Sequence, residues 1–288
     1  MFNSFSFNSD DLSSEYNNYS SNTGNYSSDY SDSSDSKQYN VKIPKIIMQT
    51  WIDKDVPEKW SISPKSIKKM MPDWKYVLMT DKDNRKFVKK HFPDFLPYYD
   101  NFPHNIQRAD SIRYLWLYIN GGIYMDLDFE VLHPLDSLFT SNIDVYLVNS
   151  SNLGSYLTNS IMASKPGCKL WLDCIEAMKK PLPYFCIGKH LAVMNSTGPV
   201  MLTYTVQRSK TVYGMLPVKL LLPCSVCNIT CHSKDAYLKQ LEGSSWITYD
   251  TKFYNFFMCN YKQLIIAIGL ILLVILIALL IQWCGWVG

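Results

Sequence analysis

Two aspartates, Asp126 and Asp128, are the residues whose type and spacing best suit chemistry. On a strand, side chains two residues apart point to the same side, and at about 3.3 Å rise per residue their Cβ atoms lie roughly 6.5 Å apart. That distance is too long for the two carboxylates to share a proton. It suits one divalent ion, Mg²⁺ or Mn²⁺, with ligand positions left for water and phosphate. We therefore predict a metal site held by Asp126 and Asp128.

A helix, two glycines and a strand must position this pair. The helix is indicated by apolar residues at helical spacing, namely Ile106, Ala109, Ile112, Trp116 and Ile119. Gly121 and Gly122 then supply the positive φ that ends a helix. Beyond them the period falls to two, which predicts a strand whose apolar face carries Ile123, Met125, Leu127 and Phe129. The other face carries Tyr124, Asp126, Asp128 and Glu130, at a strand end where open α/β sheets place their ligand crevices.

The helix before the glycines carries a second polar pair. Asp110 and Arg113 are three residues apart, so they are neighbours on one helix face. They could pair with each other or reach the hydroxyls of a substrate. Arg108 lies about 160° around the helix from Asp110 at 3.6 residues per turn, so we expect it to point elsewhere.

Residues 110–128 follow the pattern D-x-x-R-Y-x-x-L-Y-x-x-G-G-x-Y-x-D-x-D. This pattern closely resembles the sugar-binding D-x-D region of family 32 glycosyltransferases, and its spacing is similar to that of the large clostridial glucosylating toxins. The resemblance implies a GT-A-type α/β fold with a Rossmann-like nucleotide-sugar-binding domain. It also implies transfer of a hexose from a nucleotide sugar, with Mn²⁺ or Mg²⁺, and retention of the anomeric configuration.

The resemblance also implies roles for these site residues. Asp110 and Arg113 would orient the donor sugar, with Asp126 and Asp128 on the metal. Tyr124 would pack beside the nucleotide or the sugar.

Other segments extend the resemblance along the chain. The segment I-P-K-I-I-M-Q-T-W resembles the family's first strand, except that Met48 replaces the usual His, and it would bring Trp51 near the nucleotide. An aromatic residue after a first strand is equally a core residue. Asn159, which opens N-S-I-M-A-S-K-P-G, is a candidate donor-sugar contact, although turn chemistry alone also favours Asn there.

The segment L-E-G-S-S-W near residue 246 is similar to one in fungal inositol-phosphoceramide mannosyltransferases. By that likeness Ser245 and Trp246 would lie over the donor phosphates. The donor would be GDP-mannose or a UDP-hexose, with mannose favoured, and the acceptor a hydroxyl on a lipid or glycan. The segment T-G-P at Thr197 also fits the family, and we interpret it as structural.

Composition divides the chain into three parts. Residues 1–40 carry six acidic residues against one lysine, a net charge of −5, and lack apolar periodicity, which predicts a disordered arm rich in Ser, Asn and Tyr. Residues 41–258 can build one sizeable core, since the chain is 47% hydrophobic, and we predict the GT-A domain there. Residues 264–281 form an uninterrupted apolar run that predicts a transmembrane helix. No nucleic-acid partner is expected, and the total net charge of +3 is by itself uninformative.

Strands alternate with helices in the middle part, which is the signature of a parallel α/β sheet. The predicted strands are Lys45–Met48 continuing to Trp51, Lys75–Thr80, Ile143–Asn149 and Asn159–Ala163. The predicted helices are Ile62–Met71, Asp81–His91 capped by Asp81 or Asp83, Gly167–Lys179 and one that begins near Pro199.

A cluster of the form C-x2-C-x3-C-H comprises Cys224, Cys227, Cys231 and His232. Its spacing permits zinc, but zinc sites normally pair two such knuckles, so buried or paired cysteines are the preferred interpretation, and an active-site role for His232 stays open.

No positive segment followed by a 7–15-residue apolar run marks a secretory signal peptide. We therefore expect reduced thiols and a domain on the cytosolic side of an endomembrane, although the lumenal site of the fungal enzymes argues for the opposite orientation.

Other functional classes remain to be separated. A metal-dependent phosphohydrolase would need further acidic or His ligands, and none is found at convincing spacing. A glycosidase would need two carboxylates about 5–9.5 Å apart on either side of a sugar, which one strand does not provide. A membrane-tethered sugar-binding or scaffold protein without catalytic activity is the remaining alternative.

Overall fold

The computed structural model describes residues 43–139, 143–150, 156–216, 227, 235–243 and 247–287. The predicted arm, residues 1–40, lies outside these ranges, as do Ser245, Trp246, Cys224, Cys231 and His232.

A six-stranded sheet is the centre of the described fold, with a two-stranded sheet beside it. The strands are β1 (Ile46–Trp51), β2 (Lys75–Thr80), β3 (Gly122–Met125), β4 (Phe129–Val131), β5 (Val145–Asn149), β6 (Leu157–Ser164), β7 (Tyr213–Met215) and β8 (Leu238–Gln240). The larger sheet has the order β2-β1-β3-β6-β5-β7, and β4 pairs with β8.

Eight α-helices pack on the sheet or extend from it in the described ranges. They are α1 (Ile62–Met70), α2 (Asp81–His91), α3 (Leu96–Asn101), α4 (Asn105–Asn120), α5 (Lys169–Met178), α6 (Gly188–Ser196), α7 (Pro199–Arg208) and α8 (Tyr249–Val287). The predicted α/β class is confirmed, and most predicted elements agree with these bounds within two or three residues.

The sheet is mixed rather than wholly parallel. Strand β1 pairs in parallel with β2 and β3, whereas β6 runs antiparallel to β3 and to β5. Parallel strands need a long crossover, which helices α1 to α4 provide on the β1 side. The connection from β5 to β6 spans only residues 150–156, and a connection this short joins antiparallel neighbours. Strand β7 pairs in parallel with β5, so β6 is the one strand of the described sheet that runs against the others. The prediction of a parallel sheet is therefore correct except for β6.

Two local predictions need correction. Helix α2 is capped by Thr80 rather than by Asp81 or Asp83, because the Thr80 hydroxyl accepts the Asp83 N–H in a capping box. Strand β3 ends at Met125, so Asp126 and Asp128 lie in the turn before β4 and not on one continuous strand. The turn begins where the Asp126 N–H donates to Ser160 O at 2.8 Å.

Apolar side chains cover both faces of the sheet. Met48, Tyr124 and Met162 belong to the cluster on one face, and Ile47 and Ile123 belong to the cluster on the other, as the alternation of a strand requires. Met48, at the position of the family's usual His, is thus a core residue. Helix α4 is buried on all sides from residue 110 to 117, which places two charged side chains inside the protein.

The last helix, α8, is 39 residues long and contains the apolar run 264–281. Its most apolar window has no part packed inside the protein, and by length and composition the helix could cross a membrane. It also forms a disulfide, since Cys259 on α8 is bonded to Cys227 with their Cα atoms 5.4 Å apart. The expectation of reduced thiols is therefore wrong for this pair, whose partners are 32 residues apart and meet only in the tertiary fold.

Gly122, in the central turn, and Gly167 both have a positive φ, but their surroundings differ. Gly122 has φ +88°, and a Cβ there would lie 2.4 Å from Ile46 O. Gly167 has φ +75° and open space around it. We expect Gly167→Ala to lower the free energy of unfolding by about 1–2 kcal/mol through φ strain alone. Gly122→Ala should cost roughly 3 kcal/mol or more, because β1 must also shift.

Urea unfolding of the detergent-solubilised full chain, followed by tryptophan fluorescence, measures both changes. Equal losses in the two variants would contradict the close β1–β3 approach.

Candidate active site

The carboxyl ends of β1 and β3 form the edge at which the candidate site lies. Met48 pairs with Tyr124 across the two parallel strands, so Trp51 and Asp126 both follow at the same edge. Gln49 joins the two strands: its Nε2 donates to Asp126 O at 3.0 Å and to Ser63 Oγ at 2.9 Å. The turn that carries both aspartates is thereby fixed to β1.

Arg113 is the buried cation of the site. Its guanidinium contacts Asp110 Oδ1 at 2.8 Å and Asp126 Oδ1 at 3.4 Å, and it donates to Asn159 O at 2.6 Å. Arg113 and Asp110 are only 3% and 4% exposed. Both carboxylates therefore share one positive charge that water barely reaches.

Asp110 is held by neutral donors as well. Thr197 Oγ1 donates to its Oδ2 at 3.0 Å, and Asn159 Nδ2 donates to its Oδ1 at 3.2 Å. Burial is the largest influence on Asp110 and raises its pKa. Arg113 and these two hydrogen bonds oppose the rise, and the resulting pKa is about 6. Asp110 is accordingly ionised at neutral pH and balances Arg113.

Tyr124 is a core residue that supports Asp126. It is 1% exposed, its hydroxyl donates to Asp126 Oδ1, and its ring lies under the Arg113 guanidinium at 4.5 Å. Helix α4 covers the face of β3 that carries Tyr124, and Arg113 lies over its ring, so the predicted contact of Tyr124 with the nucleotide or the sugar stays a prediction. Tyr124 orients Asp126 from beneath.

Asp128 lies under the segment that follows β8. The Leu241 N–H donates to Asp128 O at 2.7 Å, and a Cβ on Gly243 would lie 2.1 Å from Asp128 Oδ2. Only glycine allows this close approach of the backbone to the carboxylate. Trp60 Nε1 donates to Glu242 O at 2.8 Å and holds the same segment. The predicted Ser245 and Trp246 follow directly, outside the described residues.

One oxygen of the pair has no hydrogen-bond partner among the residues that the structure describes. Asp128 Oδ1 is buried without a hydrogen bond to any described residue. Burial, and then the charge of Asp126, raise the pKa of Asp128 to about 7. Burial also raises the pKa of Asp126, opposed by Arg113 and Tyr124. A buried, unpartnered carboxylate oxygen next to a second carboxylate fits a hard divalent cation, which would favour the ionised form.

The described part of the chain contains no group of three His, Cys, Asp or Glu side chains that could hold a metal ion. Asp126 and Asp128 would therefore leave the remaining ligand positions to phosphate and water, as Mg²⁺ sites usually do. The additional protein ligands that a phosphohydrolase would need do not occur in those ranges.

An aromatic wall borders the aspartates. Trp51 and Trp60 meet edge to face with ring centroids 5.0 Å apart, and Lys59 Nζ lies 4.3 Å above the Trp60 ring. Lys59 is exposed, and its charge lowers the pKa of Asp128. Trp51 is half-buried in this wall, and its place near the nucleotide stays a prediction.

The chain was compared with known proteins. The family model for the glycosyltransferase sugar-binding region containing the DXD motif matches residues 57–144. Inositol phosphoceramide mannosyltransferase 2 of Schizosaccharomyces pombe is 35% identical over 71% of this chain and 58% of that protein. The chain belongs to this glycosyltransferase family.

Further relatives agree with this membership. Mannosyl phosphorylinositol ceramide synthase SUR1 of Saccharomyces cerevisiae is 34% identical over 73% of this chain and 53% of that protein. The chain thus spans a little over half the length of these relatives. Among solved structures, the PaToxG glycosyltransferase matches at 19% identity and a TM-score of 0.45, covering 58% of this chain and 70% of that one. A TM-score of 0.45 is too low for this similarity to support a conclusion about function.

The glycosyltransferase site brings together most of the residues predicted for it. Asp110, Arg113, Asp126 and Asn159 form one connected network, and Asp128 is adjacent. Arg108 points away as expected, since it donates to Phe102 O at 2.6 Å in the loop before α4.

Sequence reasoning missed the roles of Gln49 and Thr197. Gln49 is a fully buried amide within β1, and the available sequence signal was a polar amide directly after the apolar run Ile46-Ile47-Met48. Thr197 was interpreted as structural, whereas its hydroxyl reaches Asp110.

The geometry of Arg113 predicts an unequal effect of two conservative changes. Arg113→Lys retains the charge but loses the fork that joins Asp110, Asp126 and the Asn159 carbonyl. We expect a loss of transfer rate on the order of a hundredfold or more, because the site's orientation is disturbed. Arg108→Lys should change the rate less than about twofold, since its contacts lie outside the network.

Initial rates of the purified full chain measure both effects, and circular dichroism verifies that each variant folds. Equal, small losses in the two variants would exclude Arg113 from the site.

Proposed function

We propose that this protein is a divalent-metal-dependent glycosyltransferase that moves a hexose, with mannose favoured, from a nucleotide sugar to an acceptor hydroxyl. The observation that carries the proposal is the Asp126–Asp128 turn, where a buried carboxylate oxygen lacks a protein partner at the carboxyl edge of a nucleotide-binding type of sheet. The family's DXD motif falls on this turn. GDP-mannose or a UDP-hexose would be the donor.

Mannose is supported by the relatives. The S. pombe relative is named for mannosyl transfer to inositol phosphoceramide, and the S. cerevisiae relative for synthesis of mannosyl phosphorylinositol ceramide. For this chain the corresponding acceptor would be a hydroxyl on a lipid or a glycan.

The metal would be held by Asp128 and Asp126. When bound, a divalent ion supplies positive charge to the diphosphate that departs as the glycosidic bond breaks. Asp128 offers its free oxygen, whereas Asp126 is already oriented by Tyr124 and Arg113. The protein thus holds both carboxylates in place before the donor arrives, and little reorganisation is needed during the reaction.

The remaining residues would bind and orient the donor. Asp110 and Arg113 would direct the sugar hydroxyls, together with Asn159, whose amide already contacts Asp110. Trp51 would border the base, and Lys59 is close enough to Asp128 to add positive charge near the leaving diphosphate. Ser245 and Trp246, next to Gly243, would cover the phosphates.

The catalytic domain would comprise residues 41–258, with residues 264–281 as its membrane anchor. The exposed apolar helix supports this arrangement, since an unpacked run of 18 apolar residues spans about 27 Å, close to the hydrocarbon thickness.

The test of this function is release and transfer of sugar from a panel of nucleotide sugars with and without Mn²⁺. We expect metal-dependent turnover with one donor and its loss in Asp128→Asn, because the amide removes the anionic ligand. Asp94→Asn changes an exposed aspartate that precedes Asp128 by 34 residues, so it is the matched control and should retain activity.

Titration of Mn²⁺ into each variant gives a second readout, and only Asp128→Asn should lose binding. Binding of nucleotide sugar without turnover by the unchanged protein would instead favour the non-catalytic sugar-binding alternative. Normal transfer by a folded Asp128→Asn protein would refute the metal site.

We also propose that the catalytic domain faces the lumen of an endomembrane compartment, which replaces the cytosolic expectation. The Cys227–Cys259 disulfide supports this orientation, since structural disulfides persist in oxidising compartments and are rare in the cytosol.

Protease treatment of sealed microsomes tests the orientation. An epitope attached before residue 41 should survive until detergent is added. Digestion of the epitope in intact vesicles would show that the domain faces the cytosol.

A further inference from the structure

The loop between α5 and α6 exposes large apolar side chains. Tyr184 is 96% exposed, Ile187 78% and Phe185 56%. Three such residues within four positions form a contiguous apolar surface rather than scattered exposed residues, and such surfaces mark contact sites on folded proteins.

The start of α8 exposes aromatic residues in the same way. Phe253, Phe256 and Phe257 are 41–59% exposed and lie on the helix face opposite Thr251, which is buried against the domain. We call these three residues, together with Tyr184, Phe185 and Ile187, the aromatic collar.

Direct contacts hold the two parts of the collar together. The His190 N–H donates to Asp250 Oδ2 at 2.7 Å, and the His190 ring stacks on Tyr254 with centroids 5.2 Å apart. Gly188, the residue after Ile187, approaches Asp250 so closely that a Cβ there would lie 3.1 Å from its Oδ2. The loop therefore ends on the first turn of α8 and shares the position of that helix.

The charge around the loop is positive. Residues 177–192 contain Lys179, Lys180 and Lys189 and no acidic residue. Lys252 adds a further charge on α8, and Glu176 pairs with Lys179. Aromatic residues combined with lysines are characteristic of the interface between a bilayer and water, where rings lie among the headgroups and lysines meet anionic lipids.

We propose that the aromatic collar is a second membrane contact, which docks the domain on the headgroup layer of the bilayer that α8 crosses. This inference depends on the proposed anchor at residues 264–281. A single helix would leave the domain free to rotate about its anchor. The collar would hold the domain in one orientation against the membrane surface.

The loop can reach the membrane from its position. Asp250 precedes Leu264 by 14 residues, about 21 Å of helix, and a tilt of about 40° shortens the height to roughly 16 Å. The headgroup layer accounts for about 6 Å of that height. The four residue steps from Tyr184 to Gly188 measure about 13 Å when fully extended, which covers the remaining 10 Å or so once the turns that bond the Cys186 N–H to Pro183 O and the Ile187 N–H to Phe185 O open.

Photo-crosslinking of the full chain in lipid vesicles tests the proposal. Benzoylphenylalanine replaces Tyr184 in one variant and Tyr98, an exposed tyrosine on α3, in the matched control. The vesicles contain phosphatidylcholine and phosphatidylserine with a radiolabelled fraction. We expect at least fivefold more lipid labelling at position 184 than at position 98, and a drop in labelling at 184 when phosphatidylserine is omitted.

The outcomes separate this inference from the anchor. A chain that does not float with the vesicles refutes the anchor and the docking together. A chain that floats, but labels lipid equally at positions 184 and 98, refutes the docking alone. Crosslinking at position 184 to a second copy of the chain instead of lipid would also overturn it.

Discussion

The buried guanidinium of Arg113 is the interaction on which the site depends. A cation almost fully removed from water is stable only when charges and hydrogen bonds surround it. Here helix α4 supplies Asp110, the turn after β3 supplies Asp126, and β6 supplies the Asn159 carbonyl. Four elements are tied together in this way, since the end of α6 adds Thr197 through Asp110. Removing such a partner typically costs about 3–5 kcal/mol.

The same network gives the two aspartates of the turn different properties. Asp126 faces Arg113 and Tyr124, so its charge is compensated within the protein. Asp128 faces the segment at Gly243 and keeps an oxygen without a partner, with its pKa raised to about 7 by burial and by Asp126. The Asp126 carboxylate is thus fixed by protein contacts, whereas Asp128 keeps an oxygen available to a ligand. That asymmetry suits a site that must gain a cation and an anionic donor together.

The catalytic part is also firmly joined to the helix that could cross a membrane. Asp250 receives the His190 N–H at the first turn of α8, and Cys259 is bonded to Cys227 about two turns further on. The anchor and the domain therefore form one packed unit at their junction. A tilt of α8 would therefore tilt the domain as well.

The sequence by itself determined the features that depend on short spacing. Helical periodicity and the Gly121-Gly122 stop predicted α4 and its end, and the apolar run predicted the last helix. That Asp126 and Asp128 bind a metal stays a prediction from their spacing. The tertiary structure alone decided what depends on distant partners. Asp110 and Thr197 are 87 residues apart, and β3 stops at Met125, so that Asp126 lies in a turn rather than on the strand. The burial of Tyr124 and the Cys227–Cys259 pair have the same origin, because packing and long-range pairing leave no periodic signal in the chain.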